Sequence, residues 1–171
     1  VAENQIAIGS VSASDVEGDD LTYAVSGSEI SISSSGVLSF IAAPDYESKT
    51  SYSATVTVND GVNSTSQDIT VNITNVNDVA PVISSSATFS AAENQTSIGQ
   101  VVAVDAEGDD LTYAVSGDEI SISNSGVLAF KNAPDYESKS TYTETVTVSD
   151  GVNSSTQDIT VNITNVNDVA P

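Results

Sequence analysis

The stretch "TNVNDVAP" occurs at residues 74–81 and again, unchanged, at residues 164–171. At this offset the chain aligns with itself without a gap, and 62 of the 81 positions compared are identical. Self-similarity at one fixed period is the mark of a tandem repeat. We therefore expect two domains, residues 1–81 and residues 82–171. The first has no counterpart of residues 82–90, so it reads as a repeat truncated at its N-terminus.

Apolar and polar residues alternate within each copy. In "YSATVTV" (52–58), for example, every second residue is Tyr, Ala or Val, and Ser or Thr stands between them. A period of two with Val, Ile, Thr and Tyr predicts β-strands, and turn signals such as "EGDD" and "NDG" separate about seven of them in each copy. This pattern predicts an all-β chain of two tandem immunoglobulin-like, seven-stranded Greek-key sandwiches.

The two copies together indicate which residues face the core. In "VVAVD" (101–105) either alternate set could point inward, whereas the first copy reads "VSASD" (11–15) and is apolar at two positions only. Because side chains alternate between the faces of a strand, the same two positions should be inward in both copies. We expect inward side chains at Val11, Ala13, Val101 and Ala103.

The composition excludes several kinds of partner. The chain has 24 acidic residues against 3 basic ones, no histidine and a net charge of −21. Phosphate binding needs clustered Lys and Arg, so nucleic acid is excluded as a partner. The same charge argues against anionic membrane surfaces, and no apolar run is long enough to insert into a membrane. Without cysteine, neither disulfides nor thiol chemistry can occur.

The acidic residues concentrate where strands are predicted to end, and successive strand ends alternate between two poles of a sandwich. Glu3, "PDYE" (44–47) and "NVNDVAP" (75–81) then share one end, the exit pole, while "DVEGDD" (15–20) and "NDG" (59–61) share the far pole. In a tandem array we expect the exit pole of one copy to face the far pole of the next. Eight oxygen-bearing side chains would then meet, seven of them anionic: Glu3, Asp45, Glu47, Asn77, Asp78, Asp105, Glu107 and Asp150.

Such a cluster needs a cation. Like charges about 4 Å apart repel by roughly 1 kcal/mol in water and several-fold more near a protein surface. Calcium takes about 6–8 oxygen ligands, whereas magnesium keeps more of its waters. Zinc and copper favour nitrogen and sulfur donors. The residues therefore predict a Ca²⁺ site.

Five separated motifs resemble those of the cadherin repeat family. They are, in chain order, "AEN" (2–4), "PDYE" (44–47), "NVNDVAP" (75–81), "VDAE" (104–107) and "SDG" (149–151). The resemblance implies up to three Ca²⁺ ions at the junction, with Asn75 and the carbonyl of Val79 as further ligands. The detailed amino-acid sequence is also similar to that of cadherin-like tandem repeats of large bacterial surface adhesins. That similarity implies an extracellular, cell-surface location and neighbouring repeats of the same chain as partners.

Two positions depart from the family pattern. Asn75 stands where the family usually has Asp, which removes one charge, and Glu107 replaces an Asp, which lengthens the reach by one methylene. Asp109 and Asp110 offer substitutes nearby. Half-sites at the two ends could hold weakly bound ions, one formed by Asp15, Glu17 and Asp60, the other by Glu93, Asp135, Glu137, Asn165, Asn167 and Asp168.

These observations favour a calcium-rigidified extender or adhesion module of a cell-surface adhesin, of the kind found in biofilms, and not an enzyme. The alternative is that the repeat itself adheres, either to another copy or to a surface polysaccharide. Asp45 and Glu47 could in principle act as a glycosidase pair. Such an enzyme also needs a substrate cleft with aromatic platforms, and the 6 Tyr and 3 Phe fall mostly at core positions.

Overall fold

The computed structural model describes residues 1–167 and divides into two compact units, Val1–Val76 and Asn77–Pro171. Residues 77–81, which the repeat pattern assigned to the first domain, form hydrogen bonds within the second unit. The boundary after Pro81 marks where the sequence repeat restarts, and it stays a prediction.

The first unit contains two three-stranded antiparallel sheets. One has the order β1-β4-β3 and the other β2-β5-β6. The strands are β1 (Ala7–Ser10), β2 (Thr22–Val25), β3 (Ile30–Ile32), β4 (Val37–Phe40), β5 (Ser51–Asn59) and β6 (Ser64–Asn72). Leu38 and Phe40 from one sheet and Val56 and Val71 from the other belong to a single buried cluster. The unit is therefore a sandwich whose core lies between its two sheets.

The second unit repeats this arrangement and adds strands at its start. Its sheets have the orders β11-β14-β15-β8, β12-β13-β9 and β10-β7. The strands are β7 (Val82–Ile83), β8 (Thr88–Ala92), β9 (Ser97–Gln100), β10 (Ala103–Val104), β11 (Thr112–Val115), β12 (Ile120–Ile122), β13 (Val127–Phe130), β14 (Thr141–Ser149) and β15 (Ser154–Thr164). β8 runs parallel to β15, whereas the other pairs are antiparallel.

The second unit has nine strand segments, whereas seven strands were predicted, because two strands of the sandwich are interrupted. The first strand of the sandwich is divided between the sheets, since β7 pairs with β10 and β8 with β15. The second strand is divided into β9 and β10 by two intervening residues. The all-β prediction of tandem immunoglobulin-like sandwiches is confirmed.

The inward face assigned from the two copies is confirmed at three of its four positions. Val101 is completely buried, and Ala103 and Val11 are half-buried. The prediction is wrong for Ala13, which is exposed. The reason is that Ala103 pairs with Ile83 on β7, whereas the first unit has no counterpart of β7 to cover Ala13.

Candidate metal centre

Glu3 lies buried at the exit pole of the first unit, only 2% exposed. Its Oε1 accepts a hydrogen bond from the Val76 amide and its Oε2 accepts one from the Tyr46 amide, both at 2.8 Å. The turn that places it passes through Asn4 at φ 61°, a left-handed conformation that Asn tolerates better than most residues. The Asn4 amide in turn donates to the Pro44 carbonyl. Glu3 therefore ties the "PDYE" turn to the end of the repeat.

Glu93 repeats this geometry in the second unit. It is also 2% exposed, and it accepts hydrogen bonds from the amides of Tyr136 (2.9 Å) and Val166 (2.6 Å). A buried carboxylate is tolerated when hydrogen bonds satisfy it. Two backbone donors leave part of its lone-pair capacity for a further ligand.

The "PDYE" turns carry the other carboxylates of the exit poles. Asp45 accepts hydrogen bonds from the Ser48 hydroxyl (2.8 Å) and the Ser48 amide (3.1 Å), and these bonds hold its pKa below the usual value. The Ser138 hydroxyl lowers the pKa of Asp135 in the same way. Both aspartates therefore carry full negative charge near neutral pH.

The exit pole of the second unit gathers three predicted half-site residues. One oxygen from each of Glu93, Asp135 and Glu137 lies within 4.8 Å of the others. The Asn165 side-chain amide donates to Glu137 at 2.9 Å. Asp168, which the sequence assigns to the same half-site, lies outside the described residues.

The far pole of the second unit is built around Asp105. Its Oδ1 accepts hydrogen bonds from the amides of Glu107 (2.9 Å) and Asp109 (3.3 Å) and so closes the "DAEGD" loop. Carboxylate oxygens of Asp105, Glu107 and Asp109 lie within 4.8 Å of one another. Asp109, which the sequence offered as a substitute ligand, therefore lies with two of the predicted ligands, Asp105 and Glu107.

Residues 77–79 rest on this same pole. The Glu107 carboxylate accepts hydrogen bonds from the amides of Asp78 (3.2 Å) and Val79 (3.0 Å). The Asn153 side chain donates to Asn77 Oδ1 at 2.7 Å. Six predicted ligand residues therefore lie together at the far pole of the second unit: Asn77, Asp78, Val79, Asp105, Glu107 and Asp150.

Asn153 was not among the predicted ligands, although it fixes Asn77. The backbone amide of Asn153 also donates a hydrogen bond to Asp150 Oδ1 at 2.6 Å. The stretch "DGVNS", which begins at the predicted aspartate and is unchanged in both copies, could have indicated the role of Asn153. The remaining predicted residues belong to the first unit: Glu3, Asp45, Glu47 and Asn75. Glu47 and Asn75 are exposed.

Two carboxylate oxygens at the far pole lack a donor. Asp105 Oδ2 and Asp150 Oδ2 are buried, and no hydrogen bond reaches either of them within the described structure. Burial alone would raise the pKa of Asp150, but hydrogen bonds from Asn153, Val152 and Asn77 outweigh it and lower the pKa. A charged, buried oxygen without a donor is costly unless a cation binds it.

The ion pairs of the lysines involve carboxylates outside the predicted ligand set. The three lysines form ion pairs elsewhere, Lys49 with Glu29, Lys131 with Asp118 and Lys139 with Glu119. An all-oxygen donor set with several carboxylates is the one that calcium prefers. The residues at the far pole therefore fit a Ca²⁺ ion by their chemistry.

Comparison with known proteins identifies the class. The family described as bacterial Ig domain matches residues 1–74 and 77–164, and the chain belongs to that family. A relative named Chitinase A, from Pseudoalteromonas piscicida, is 36% identical over 168 residues. That match covers 96% of this chain but only 20% of the relative.

The structural neighbours are cadherin repeats. A protocadherin gammaB7 EC3–6 structure matches 98% of this chain and 50% of its own length, with a TM-score of 0.76 and 25% identity. Human protocadherin-24 EC1–2 gives a TM-score of 0.80 at 18% identity, covering 95% of this chain and 89% of its own. Drosophila N-cadherin EC1–4 gives 0.78 at 23% identity, covering 96% and 46%. The predicted resemblance to cadherin-like tandem repeats is confirmed.

These families consist of Ig-like and cadherin-like domains, which are non-catalytic. Across residues 1–167, no helix has the length and apolar character needed to cross a bilayer.

Proposed function

We propose that this chain is a calcium-stiffened extender module of an extracellular, cell-surface protein. The observation that carries the proposal is the pair of buried, donor-free oxygens on Asp105 and Asp150. Hydrogen bonds to the other oxygen of each side chain fix both carboxylates before any ion arrives. Such preorganisation lowers the entropic cost of binding.

The proposed ligands come from the exit pole of one repeat and the far pole of the next. Asp105, Glu107, Asp150, Asp78, Asn77 and the Val79 carbonyl would act from the second repeat, and Glu3, Asp45, Glu47 and Asn75 from the first. Bound calcium supplies positive charge and demands about 6–8 oxygens around it. In the first repeat, the Val76 amide donates a hydrogen bond to Glu3. Asn77, the next residue in the chain, accepts one from the Asn153 side chain.

The mechanical consequence follows from linkage. Ions that bind only when consecutive repeats are aligned stabilise the aligned state by mass action. Without calcium, the clustered carboxylates repel one another and disfavour that alignment. A string of such repeats would therefore be flexible without calcium and stiff with it, as suits a spacer that projects another domain. The match to one fifth of a chitinase fits a module that accompanies other domains.

Calorimetric titration of chelator-stripped protein with calcium tests the proposal. We expect saturable binding of up to three ions. The pair Asp105→Asn and Asp150→Asn should weaken it about a hundredfold, equivalent to ~2.7 kcal/mol.

The repeat supplies a matched control. Asp15 and Asp60 are the first-unit counterparts of Asp105 and Asp150 and cap equivalent turns. Asp15→Asn with Asp60→Asn makes the same change in charge and should alter the affinity by no more than about threefold, a difference of ~0.7 kcal/mol. Equal losses in the two double variants would indicate general charge screening instead of a site. Absence of saturable binding would refute the proposal.

Exposed valines favour the adhesive alternative as a second candidate. Val102 is 46% exposed and Val104 58% exposed, where the first unit has Ser12 and Ser14. Val104 lies opposite Val82 across the β7–β10 pair, and Val82 is also exposed. Sedimentation with calcium would detect self-association through this patch, and a glycan array would detect polysaccharide binding.

A further inference from the structure

A half-buried glutamate distinguishes the second unit from the first. Glu144 on β14 stands where the first unit has Ala54 on β5. Its neighbours on the same face of the strand, Tyr142 and Val146, are buried. The Glu144 carboxylate accepts a hydrogen bond from the Ser116 hydroxyl at 2.6 Å. The second unit therefore holds a carboxylate at a place where the first unit has only a methyl group.

Glu144 fills the space beside the turn at Gly117. A β-carbon on this glycine would collide with the Glu144 carboxylate, so the two groups are packed against each other. A β-carbon on the equivalent Gly27 would meet no atom within 4 Å. Both glycines have a left-handed backbone, with φ of 84° at Gly27 and 70° at Gly117, so the turn is the same in the two units. The same space is thus filled in one unit and open in the other.

The open space in the first unit belongs to a cleft of about 440 Å³. Hydroxyl and carboxylate groups line it at Ser26, Thr55 and Asp68, and Ala54 adds its methyl group. The matching cleft of the second unit includes Glu144 and is smaller, about 350 Å³. The first unit therefore has more room, within walls of nearly the same composition.

The Ser26 hydroxyl is positioned to donate a hydrogen bond into this cleft. Its oxygen accepts a hydrogen bond from the Thr55 amide at 2.8 Å, just as Ser116 accepts one from Thr145. In the second unit the serine then donates to Glu144. Among the described residues of the first unit, no acceptor receives the Ser26 hydrogen. The donor is therefore kept, and its internal acceptor is missing.

The edge of β5 adds main-chain groups to the cleft. The strand beside it, β2, ends at Val25, and the last bond on that side runs from the Ser26 amide to the Thr55 carbonyl at 2.9 Å. Alternate residues of a strand direct their main-chain groups to the same side, so the Ser53 amide and carbonyl also point there. Asp68 contributes acceptor oxygens, one of which the Thr55 hydroxyl already contacts at 2.7 Å. Donors and acceptors thus stand side by side.

We propose that this cleft of the first unit binds a neutral saccharide. A sugar hydroxyl both accepts and donates, so one hydroxyl can accept from Ser26 while a neighbouring one donates to Asp68. Acidic sugars are disfavoured, because Asp68 lies in the cleft and the chain carries a net charge of −21. In the second unit, Glu144 already satisfies the serine and occupies the space, so no saccharide binds there.

The saccharide site is independent of the proposed calcium site. None of the proposed calcium ligands lines the cleft. Saccharide binding should therefore be the same in calcium and in chelator, and a failure of either proposal leaves the other standing. The site gives the polysaccharide-binding alternative a specific location in the first unit.

NMR titration of the whole chain with neutral oligosaccharides tests the proposal. Maltohexaose, laminarihexaose and mannohexaose serve as probes. We expect at least one of them to cause a saturable shift of the Gly27 amide signal, with one saccharide bound per chain. The Gly117 amide, which lies at the filled position, should not move and serves as the internal control.

Exchanging the two distinguishing residues sharpens the test. Ala54→Glu reproduces the second unit and should abolish binding, while the second unit itself shows that the fold accepts glutamate there. Glu144→Ala reproduces the first unit and should create a second site, so that the Gly117 amide also shifts and two saccharides bind per chain.

The serine donors provide a milder pair of variants. Ser26→Ala removes one hydrogen bond from an exposed side chain and should weaken binding about three- to tenfold. Ser116→Ala makes the same change in the second unit and should leave the affinity unaltered. Equal effects of the two serine variants would contradict the assignment of the site to the first unit.

Three further results would overturn the proposal. One is the absence of a saturable shift with all three saccharides up to about 10 mM, beyond the weak end of ordinary affinities. Another is an equal shift of Gly27 and Gly117 in the wild-type chain. The third is a Glu144→Ala chain that still binds a single saccharide.

Discussion

The same residue on the same strand is buried differently in the two units. Ile159 on β15 is 1% exposed, whereas its counterpart Ile69 on β6 is only partly buried. The flanking sequence "QDITVNIT" is identical in both copies. The difference comes from β7 and β8, which cover one side of the second sandwich and have no counterpart in the first. Burial is therefore decided by the covering strand and not by the local sequence.

The buried glutamates, in contrast, have the same burial in both units. Glu3 and Glu93 have the same exposure and equivalent backbone donors, although one unit lacks the covering strand. Their environment is made by the "PDYE" turn and the end of the last strand, which both copies contain in full. The environment of these glutamates is therefore the same in both units, whereas the burial of Ile69 and Ile159 differs.

The largest expected contrast is in the core. Ile159→Ala should cost about 3 kcal/mol of unfolding free energy, since a large-to-small change leaves a cavity in a fully enclosed site. Ile69→Ala should cost about half as much, because water already reaches part of that side chain. Urea unfolding followed through separate NMR amide signals of each unit would measure both. Equal costs would contradict the role given to the covering strand.

A smaller effect is expected at the paired glutamates, this time equal in the two units. Glu3→Gln and Glu93→Gln each place an amide NH₂ group beside a backbone N–H donor. Leaving a buried donor unsatisfied costs about 1–3 kcal/mol. The same urea experiment in chelator would measure both variants. A difference larger than about 1 kcal/mol, well above the usual error of such comparisons, would show that the two poles are not equivalent.

The smallest effect concerns the titration of the exposed turn. Ser48→Ala removes the strongest hydrogen bond to Asp45 and should move the pKa of this carboxyl up toward 3.8. A lowered folded pKa stabilises the fold above the unfolded pKa, and that contribution is lost as the pH falls through the folded value. With the folded and unfolded pKa values brought together, the variant lacks this contribution above about pH 4, and the stability of its first unit should fall less than that of the wild type as the pH is lowered through this region.

NMR titration of the Asp45 side-chain carbon would measure the shift, with Ser138→Ala and Asp135 as the matching pair in the second unit. An unchanged pKa of Asp45 would indicate that the Ser48 hydroxyl is not its main stabilising partner.

Much of the fold could be predicted from the sequence. Alternation in "YSATVTV" (52–58) and "YTETVTV" (142–148) predicted β5 and β14, because side chains of a strand between core and solvent must alternate. Most of the individual acidic residues of the far pole could also be predicted, since the carboxylates recur at the same strand ends in both copies. Asn153 could not, because its role depends on meeting Asn77, which lies 76 positions earlier in the chain.

The sequence alone determined the repeat, the strand pattern, the acidic charge and the identity of the oxygen donors, since each depends on residue type and spacing. Only the tertiary structure decided that Glu3 and Glu93 are buried behind two amides, that one oxygen each of Asp105 and Asp150 is buried without a donor, and that β8 covers β15. These properties depend on which segments pack together. Ile159 is enclosed in the second unit because β8, which is distant from it in sequence, pairs with β15.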